Sequence, residues 1–456
     1  RGLGDVYKRQ QHETTDTTSG PARGTITTTG TTTTDTGFVP GYTGLRCRAC
    51  GTDADDGPTF VCARCFGPLE PVYDLDGIRS RLSRETLDAR EATVWRYAEL
   101  LPVKELPTSG LRVGDSPLVE APRLAARIGL DRLWIKDDSR NPTLSFKDRP
   151  VSVAAARAKA WGDHTLACAS TGNLSAAVAA AAAAHGLRSV VFIPADLEPA
   201  KIAQARALGA TVVRVDGPYD DVNRLCLELT DELEGWAVLN VNLRPFYAEG
   251  SKTISYEIAQ QLGWRAPTAL FAPLASGSMY TKLERGFGEL VETGLLDAAP
   301  VRFFGGQANG CAPIADAFAA GTDVVRPVEK PDTIVRSLSI GSPADGGYAI
   351  RQARDSGAAI LGVSDEATVD SIRLLAETEG ILTETAGGVT LAALRRAVEE
   401  GHLRREEETV LVITGNGLKT LDVLAGDDES TLPEPIAPSF DAFEAWWGST
   451  AGEVAA

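Results

Sequence analysis

From Leu133 onward the chain alternates short apolar runs with longer, alanine-rich segments. Leu133-Trp134-Ile135-Lys136 reads as a strand followed by a polar loop to Leu144. Thr165 to Ala169, Ser189 to Ile193, Thr211 to Val215, Ala237 to Val241, Leu270 to Pro273, Val301 to Gly305 and Thr409 to Thr414 read as further strands, with helices between them. These runs are apolar throughout instead of alternating. Both faces are therefore covered, which predicts a parallel sheet in an α/β fold. Ligands of such sheets gather at loops beyond the carboxyl ends of the strands. Upstream, Asp76 to Leu101 is charged and has a helical period, and Pro102 to Pro107 breaks it.

Four loops carry candidate chemistry. In Ser145-Phe146-Lys147-Asp148-Arg149-Pro150, Ser145 and Asp148 have capping-box spacing ahead of the apolar run Val151 to Trp161. Pro150 tolerates only a first turn, so the helix begins at about Ser145 to Arg149 and Lys147 stands at its N-terminus. The dipole there disfavours a cation and favours a nucleophilic amine. Taken alone, these six residues read better as an exposed first-turn lysine. Ser170-Thr171-Gly172-Asn173 lies between a strand and the helix Leu174 to Ala184, and offers hydroxyls and backbone N–H groups to an anion, or an ordinary helix cap. Ala275-Ser276-Gly277-Ser278-Met279 follows a strand with small residues that free N–H groups for a phosphate; it lacks the lysine of a Walker loop. Thr414-Gly415-Asn416-Gly417-Leu418-Lys419 ends the last strand, and its glycines allow close approach to a flat ligand. Each loop alone is an ordinary turn; their order around one parallel sheet is what distinguishes them.

Near the start, Cys47-x2-Cys50 and Cys62-x2-Cys65 have zinc-ribbon spacing, which predicts a four-thiolate metal knuckle with a structural role. Some thirty residues cannot build a core alone, so a metal would hold them. Cys168, Cys226 and Cys311 are scattered, which indicates a reducing, cytoplasmic setting and not a disulfide framework. The net charge of -17 argues against nucleic acid or an anionic membrane surface, and no stretch is apolar enough to span a bilayer. His12, His164, His185 and His402 lie in no motif, which argues against a histidine-based centre.

With these motifs in place, the chain from about Leu45 to Asp422 resembles the fold-type II pyridoxal-phosphate enzymes, most closely the threonine synthases. Asn240 to Arg244, Glu249 to Thr253 and Gly306 to Pro313 resemble further segments of that family, as does the cysteine knuckle of Cys47, Cys50, Cys62 and Cys65. The resemblance implies that Lys147 carries the cofactor and moves protons, and that Ser170, Thr171, Gly172 and Asn173 hold the substrate carboxylate. Asn173 would also reach the cofactor's ring oxygen. Ala275, Ser276, Gly277, Ser278 and Met279 would hold its phosphate, and Thr414 would face its ring nitrogen, where a hydroxyl moderates the electron sink. It further implies a reaction of O-phospho-L-homoserine with water, with Arg244, Lys252 and Thr171 meeting the substrate's phosphate, and a homodimer as the usual assembly. Two departures bear on substrate identity. Tyr247 stands near where many members carry an arginine, and Glu384-Thr385-Ala386-Gly387-Gly388 replaces a frequent Glu-Pro-Ala-Ser stretch. A threonine or serine dehydratase, or a cysteate-synthase-like β-replacement enzyme, is the alternative on the same scaffold; a zinc-ribbon interaction protein with a degenerate domain is the non-enzyme alternative.

The architecture expected is a two-lobed, parallel-sheet α/β fold with an N-terminal zinc-ribbon-like knuckle. Residues 1–41 read as a disordered tail, within which 1–10 read as an artefact of sequence assembly, and 42–75 as the knuckle. Residues 76–161 with 251–430 form the large cofactor-binding lobe, 162–250 a small inserted lobe and 431–456 a tail. The tail's aromatic patch, Phe440, Phe443, Trp446 and Trp447, is expected to dock on the body.

Overall fold

The computed structural model describes residues 38–170, 172–195, 199–217, 219–425 and 434–454. The reading of residues 1–37 as a tail lies outside them, as does Thr171.

Three sheets form among the described residues. The first joins β1 (Tyr42–Cys47), β2 (Asp53–Ala54) and β3 (Leu69–Tyr73) in the order β2-β1-β3, and carries the cysteine knuckle. The largest contains β4 (Leu118–Glu120), β5 (Leu133–Asp137), β10 (Ala269–Pro273), β11 (Arg302–Ala308), β12 (Ile360–Val363) and β13 (Thr409–Ile413), in the order β12-β11-β10-β13-β5-β4. All of its pairings are parallel except that of β4 with β5. The third is parallel throughout and runs β8-β7-β6-β9, from β6 (Thr165–Ala169), β7 (Arg188–Pro194), β8 (Thr211–Val215) and β9 (Trp236–Val238).

Covering both faces explains the apolar runs. Every residue of β6, β10 and β13 is buried. Phe271 of β10 and Phe304 of β11 stack with centroids 4.4 Å apart. β12 is absent from the sequence reading: its four residues, with Gly362 inside, are too short and too mixed to stand out. The antiparallel β4 likewise departs from an all-parallel sheet.

The helix Asp148–Trp161 packs against Asn173–His185, where Ala176, Ala177 and Ala179 to Ala182 are buried. Side chains this small let the two backbones approach closely. Arg149 is fully buried and anchors the first of these helices. Its guanidinium pairs with Asp138 at 2.6 Å and with Glu257 at 2.6 Å, and Glu257 also accepts from Lys136 at 2.7 Å. The Arg149 and Lys136 charges hold the Glu257 carboxyl down at about 2, against the desolvation that acts most strongly to raise it.

The last described helix, Phe440–Val454, departs from expectation. Phe440, Phe443 and Trp447 remain exposed, and Phe443, Trp446 and Trp447 group with one another at 6.1 to 6.3 Å. The three rings cover one another in part. Residues 434–439 ahead of it are exposed as well.

Candidate active site

The lysine turn follows β5 and is zipped to the loop after β13. Phe146 N–H donates to the Thr414 carbonyl at 2.8 Å, and Asn416 N–H to the Leu144 carbonyl at 3.1 Å. Leu144 takes φ +63°, a conformation unfavourable for a leucine, so backbone strain sits just ahead of the turn. The helix begins at Asp148, with Lys147 as its capping residue and Pro150 in the first turn. The capping box does not form. Asp148 instead reaches back to the Thr143 N–H and hydroxyl, both at 2.7 Å, and Ser145 Oγ accepts from Lys147 N–H at 3.3 Å. Closing the loop from Thr143 satisfies two buried donors that a capping box would have left open. Burial pushes the Asp148 carboxyl up to about 6, against those two hydrogen bonds. The Lys147 amine lies 4.7 Å from the Phe146 ring centroid and 5.7 Å from that of Tyr247. It has neither a hydrogen bond nor an ion pair to a described residue.

Two further loops converge on a carboxyl. Asn173 Nδ2–H donates to Glu384 Oε2 at 2.7 Å, and the Thr414 hydroxyl donates to Glu384 Oε1 at 3.2 Å. Gly415 makes this approach possible: a Cβ there would lie 2.4 Å from the Glu384 carboxyl. Glu384 N–H in turn donates to the Gly415 carbonyl at 3.0 Å. Burial raises the Glu384 carboxyl above the usual carboxylate range, while Asn173, Lys419, Thr414 and Lys147 pull it down. Burial also lowers the Lys419 amine, against the pull of Glu384 and Asp148. Sequence reasoning assigns Glu384 no role. Its signal in sequence is its place in the altered stretch Glu384 to Gly388, at the start of the helix Thr385–Glu399.

Ala275, Ser276 and Gly277 lie in the turn between β10 and the helix Ser278–Glu292, which Ser278 and Met279 begin. Gly277 caps that helix at φ +89°, where a Cβ would press to 3.1 Å of Asp345. Ser170 is half-buried and Gly172 is exposed at the mouth of the helix that Asn173 starts.

The residues expected to meet a substrate phosphate separate. Arg244 is half-exposed and pairs with Asp345, Nη2 to Oδ2 at 2.9 Å. Asp345 N–H donates to the Ser276 carbonyl at 2.9 Å, so Arg244 stands beside the phosphate-loop candidate. Lys252 does not join it. That side chain is fully buried, with its amine 2.5 Å from Glu249 and 2.9 Å from Glu289, and so it serves a closed ion cluster. The Lys-Thr segment reads like a phosphate contact in sequence, but its helix turns the lysine into the core. Tyr247, one turn after Arg244, keeps a buried hydroxyl without a partner among the described residues.

At the knuckle, Cys47, Cys50, Cys62 and Cys65 bring their sulfurs within 4.8 Å of one another, with Cys47 and Cys62 buried. Cys47 lies 3.4 Å from Cys65 and Cys50 3.8 Å from Cys62, close to the edge of about 3.8 Å that a tetrahedral site with Zn–S bonds near 2.3 Å requires. The cluster is compatible with zinc.

These arrangements agree with comparisons to known proteins. The family model described as pyridoxal-phosphate dependent enzyme matches residues 110–415. The threonine synthase of Methanocaldococcus jannaschii is 37% identical over 393 residues, covering 86% of this chain and 95% of that protein. That of Methanosarcina acetivorans is 36% identical, covering 82% and 92%. Among solved structures, the processed form of threonine deaminase isoform 2 from Solanum lycopersicum is 22% identical with a TM-score of 0.56, covering 68% of this chain and 82% of that one. Maize serine racemase, at 19% identity and a TM-score of 0.56, shares the same fold over 68% of this chain and 90% of that one. The sequence matches are spread over most of both partners, so the chain belongs to the threonine synthases, a family of pyridoxal-phosphate dependent enzymes.

Proposed function

We propose that this protein converts O-phospho-L-homoserine and water to L-threonine and phosphate, with Lys147 as its central catalytic group. The observation that carries the reading is the convergence of the Asn173 amide and the Thr414 hydroxyl on the buried Glu384 carboxyl, which also feels the charge of the Lys147 amine, at loops beyond the carboxyl ends of parallel strands. Pyridoxal phosphate fits these residues. The amine is open to a carbonyl carbon, and the Gly277 turn presents backbone N–H groups and two serine hydroxyls to a phosphate. The Tyr247 hydroxyl still lacks an acceptor among the described residues.

When bound, that cofactor supplies the electron sink for carbanion chemistry on an amino acid. The protein's own groups do the remainder. Lys147 holds the cofactor, accepts the proton leaving the α carbon and next one from the β carbon, and returns protons as phosphate leaves the γ carbon and water adds at the β carbon. One amine serves these transfers because its nitrogen has no hydrogen bond or ion pair to a described residue. Asn173 and Thr414 orient the ring, and Ser170 with the Gly172 turn receives the substrate carboxylate. Arg244 receives the substrate's phosphate through its remaining donors. The knuckle holds a structural zinc ion. The four-stranded sheet with its helices forms the small lobe, 162–250, and the six-stranded sheet the large one.

Replacement of Lys147 by Ala tests the assignment. The variant should lose the visible absorbance of the bound cofactor and all phosphate release, while borohydride treatment of the wild type should leave the cofactor on the peptide containing Lys147. A variant that still turns over refutes it.

A further inference from the structure

Arg48 lies inside the first cysteine pair of the knuckle, yet its side chain leaves the knuckle for the body. Its backbone N–H donates to the Pro68 carbonyl at 2.9 Å, which ties it to the end of the second pair's loop. Its guanidinium carbon sits 3.6 Å from the centroid of the Tyr348 ring, and Nη1 lies 3.8 Å from Asp345 Oδ1 and 3.6 Å from Glu70 Oε1. Asp345 and Tyr348 belong to one turn: Asp345 precedes the helix Gly346–Asp355 and Tyr348 is in its first turn. Asp345 is buried, and its other carboxylate oxygen holds Arg244. Its N–H holds the Ser276 carbonyl, and its backbone packs against Gly277. Glu70 of β3 makes a second connection. It pairs at 2.9 Å with Lys282, which stands on the helix that the phosphate-loop candidate opens and also pairs with Glu249 at 2.7 Å.

We propose that Arg48 and Asp345 form a positioning relay that ties the metal-bound state of the knuckle to the recognition of the substrate's phosphate by Arg244. The inference rests on the proposed function for the identity of that phosphate. An arginine on a short helix has many rotamers, and binding a phosphate must freeze one of them. Asp345 already holds Nη2, which leaves Nη1 and Nε without a hydrogen bond to a described residue and aimed by the pair. Asp345 Oδ1 faces the Arg48 guanidinium at 3.8 Å, and Arg48 stacks on the Tyr348 ring that Arg351 also approaches, at 4.8 Å, so the Arg48 charge helps to fix the carboxylate that holds Arg244. The direction of Arg48 depends on the Cys47 to Cys50 turn, which is pinned by Gly51 N–H to the Cys47 carbonyl and Arg48 N–H to the Pro68 carbonyl, both at 2.9 Å, and whose thiols a bound metal would draw together. Arg48 and Asp345 are positioning residues; neither needs to touch the reacting atoms.

The test uses the zinc- and cofactor-loaded protein, its chelator-stripped form, and three variants. Arg48→Ala removes the relay, and Arg48→Lys keeps the charge without the planar stacking on Tyr348. Arg46→Ala removes an exposed pair with Asp53 in the same knuckle. KM and kcat for O-phosphohomoserine are measured together with the calorimetric Kd of inorganic phosphate for the cofactor-loaded protein. Arg48→Ala should raise KM and the phosphate Kd by about tenfold each, with kcat and cofactor absorbance within about twofold. Arg48→Lys should recover part of this, and Arg46→Ala should match the wild type. Stripping zinc should move the wild type to the values of Arg48→Ala and should move Arg48→Ala no further. A wild-type KM and phosphate Kd in Arg48→Ala overturn the relay, as does zinc removal acting equally on both proteins. A wild type that is inactive on O-phosphohomoserine overturns the proposed function alone, because the phosphate titration still decides the relay.

Discussion

Asp148 shows how a motif residue can be read correctly as important and wrongly in its role. Its position one residue after Lys147 looks like a cap, but the carboxyl spends its hydrogen bonds on Thr143 and closes the loop that delivers the lysine. Its carboxyl is pushed from 3.8 to about 6 by burial, which has a consequence for the cofactor-free protein. The folded state binds this proton more tightly than the unfolded chain does. Its contribution to stability is therefore fully present below about pH 3.9 and is lost as pH rises through about 6. Between pH 4 and 7 the wild type should lose up to about 3 kcal/mol relative to Asp148→Asn, read from urea unfolding of both at each pH. Parallel stability curves would contradict the assignment. Glu384 belongs at the same scale. In sequence it is visible only as part of an altered stretch, because its meeting with Asn173 and Thr414 depends on the loops after β6 and β13 reaching the start of the helix Thr385–Glu399 and on the missing side chain at Gly415.

The helix Asp148–Trp161 is held by its second residue. Arg149 enters the core with two carboxylates and a neighbouring lysine already in place, so removing it leaves buried charge without compensation. Arg149→Met should cost about 3 to 5 kcal/mol of unfolding free energy and weaken cofactor retention through the displaced turn. Arg224→Ala, at an exposed pair with Asp221, should stay within about 0.5 kcal/mol, and equal losses in the two variants would contradict the account. Strands are the elements most legible in sequence. The run at Thr165–Ala169 appears with the expected bounds, because a fully covered strand leaves a continuous apolar run, and Thr211–Val215 does so as well although this edge strand is only partly covered. Legibility ends where the deciding interaction is tertiary. The helix after Glu249 turns Lys252 into the core, and no local pattern distinguishes that from a lysine facing a ligand.

At the scale of the whole molecule, three motifs far apart in sequence meet because parallel strands place their following loops on one edge of their sheets. That convergence is legible from the order of the loops. The path from the knuckle to Arg244 is not, since Asp345 lies in no motif, and the contacts of Arg48, Asp345 and Arg244 exist only once β3, the Gly346–Asp355 helix and the Arg244–Glu249 helix are packed. The cysteine spacing does announce the knuckle, because ligand geometry constrains spacing directly.

The account turns on what the site does with a phosphorylated amino acid. The most direct measurement is phosphate release from O-phospho-L-homoserine by the cofactor-loaded protein, with threonine and keto acid assayed in the same samples. The account predicts one phosphate and one threonine per substrate consumed, with no keto acid. A keto acid from threonine or serine, with no phosphate released from O-phospho-L-homoserine, would contradict it.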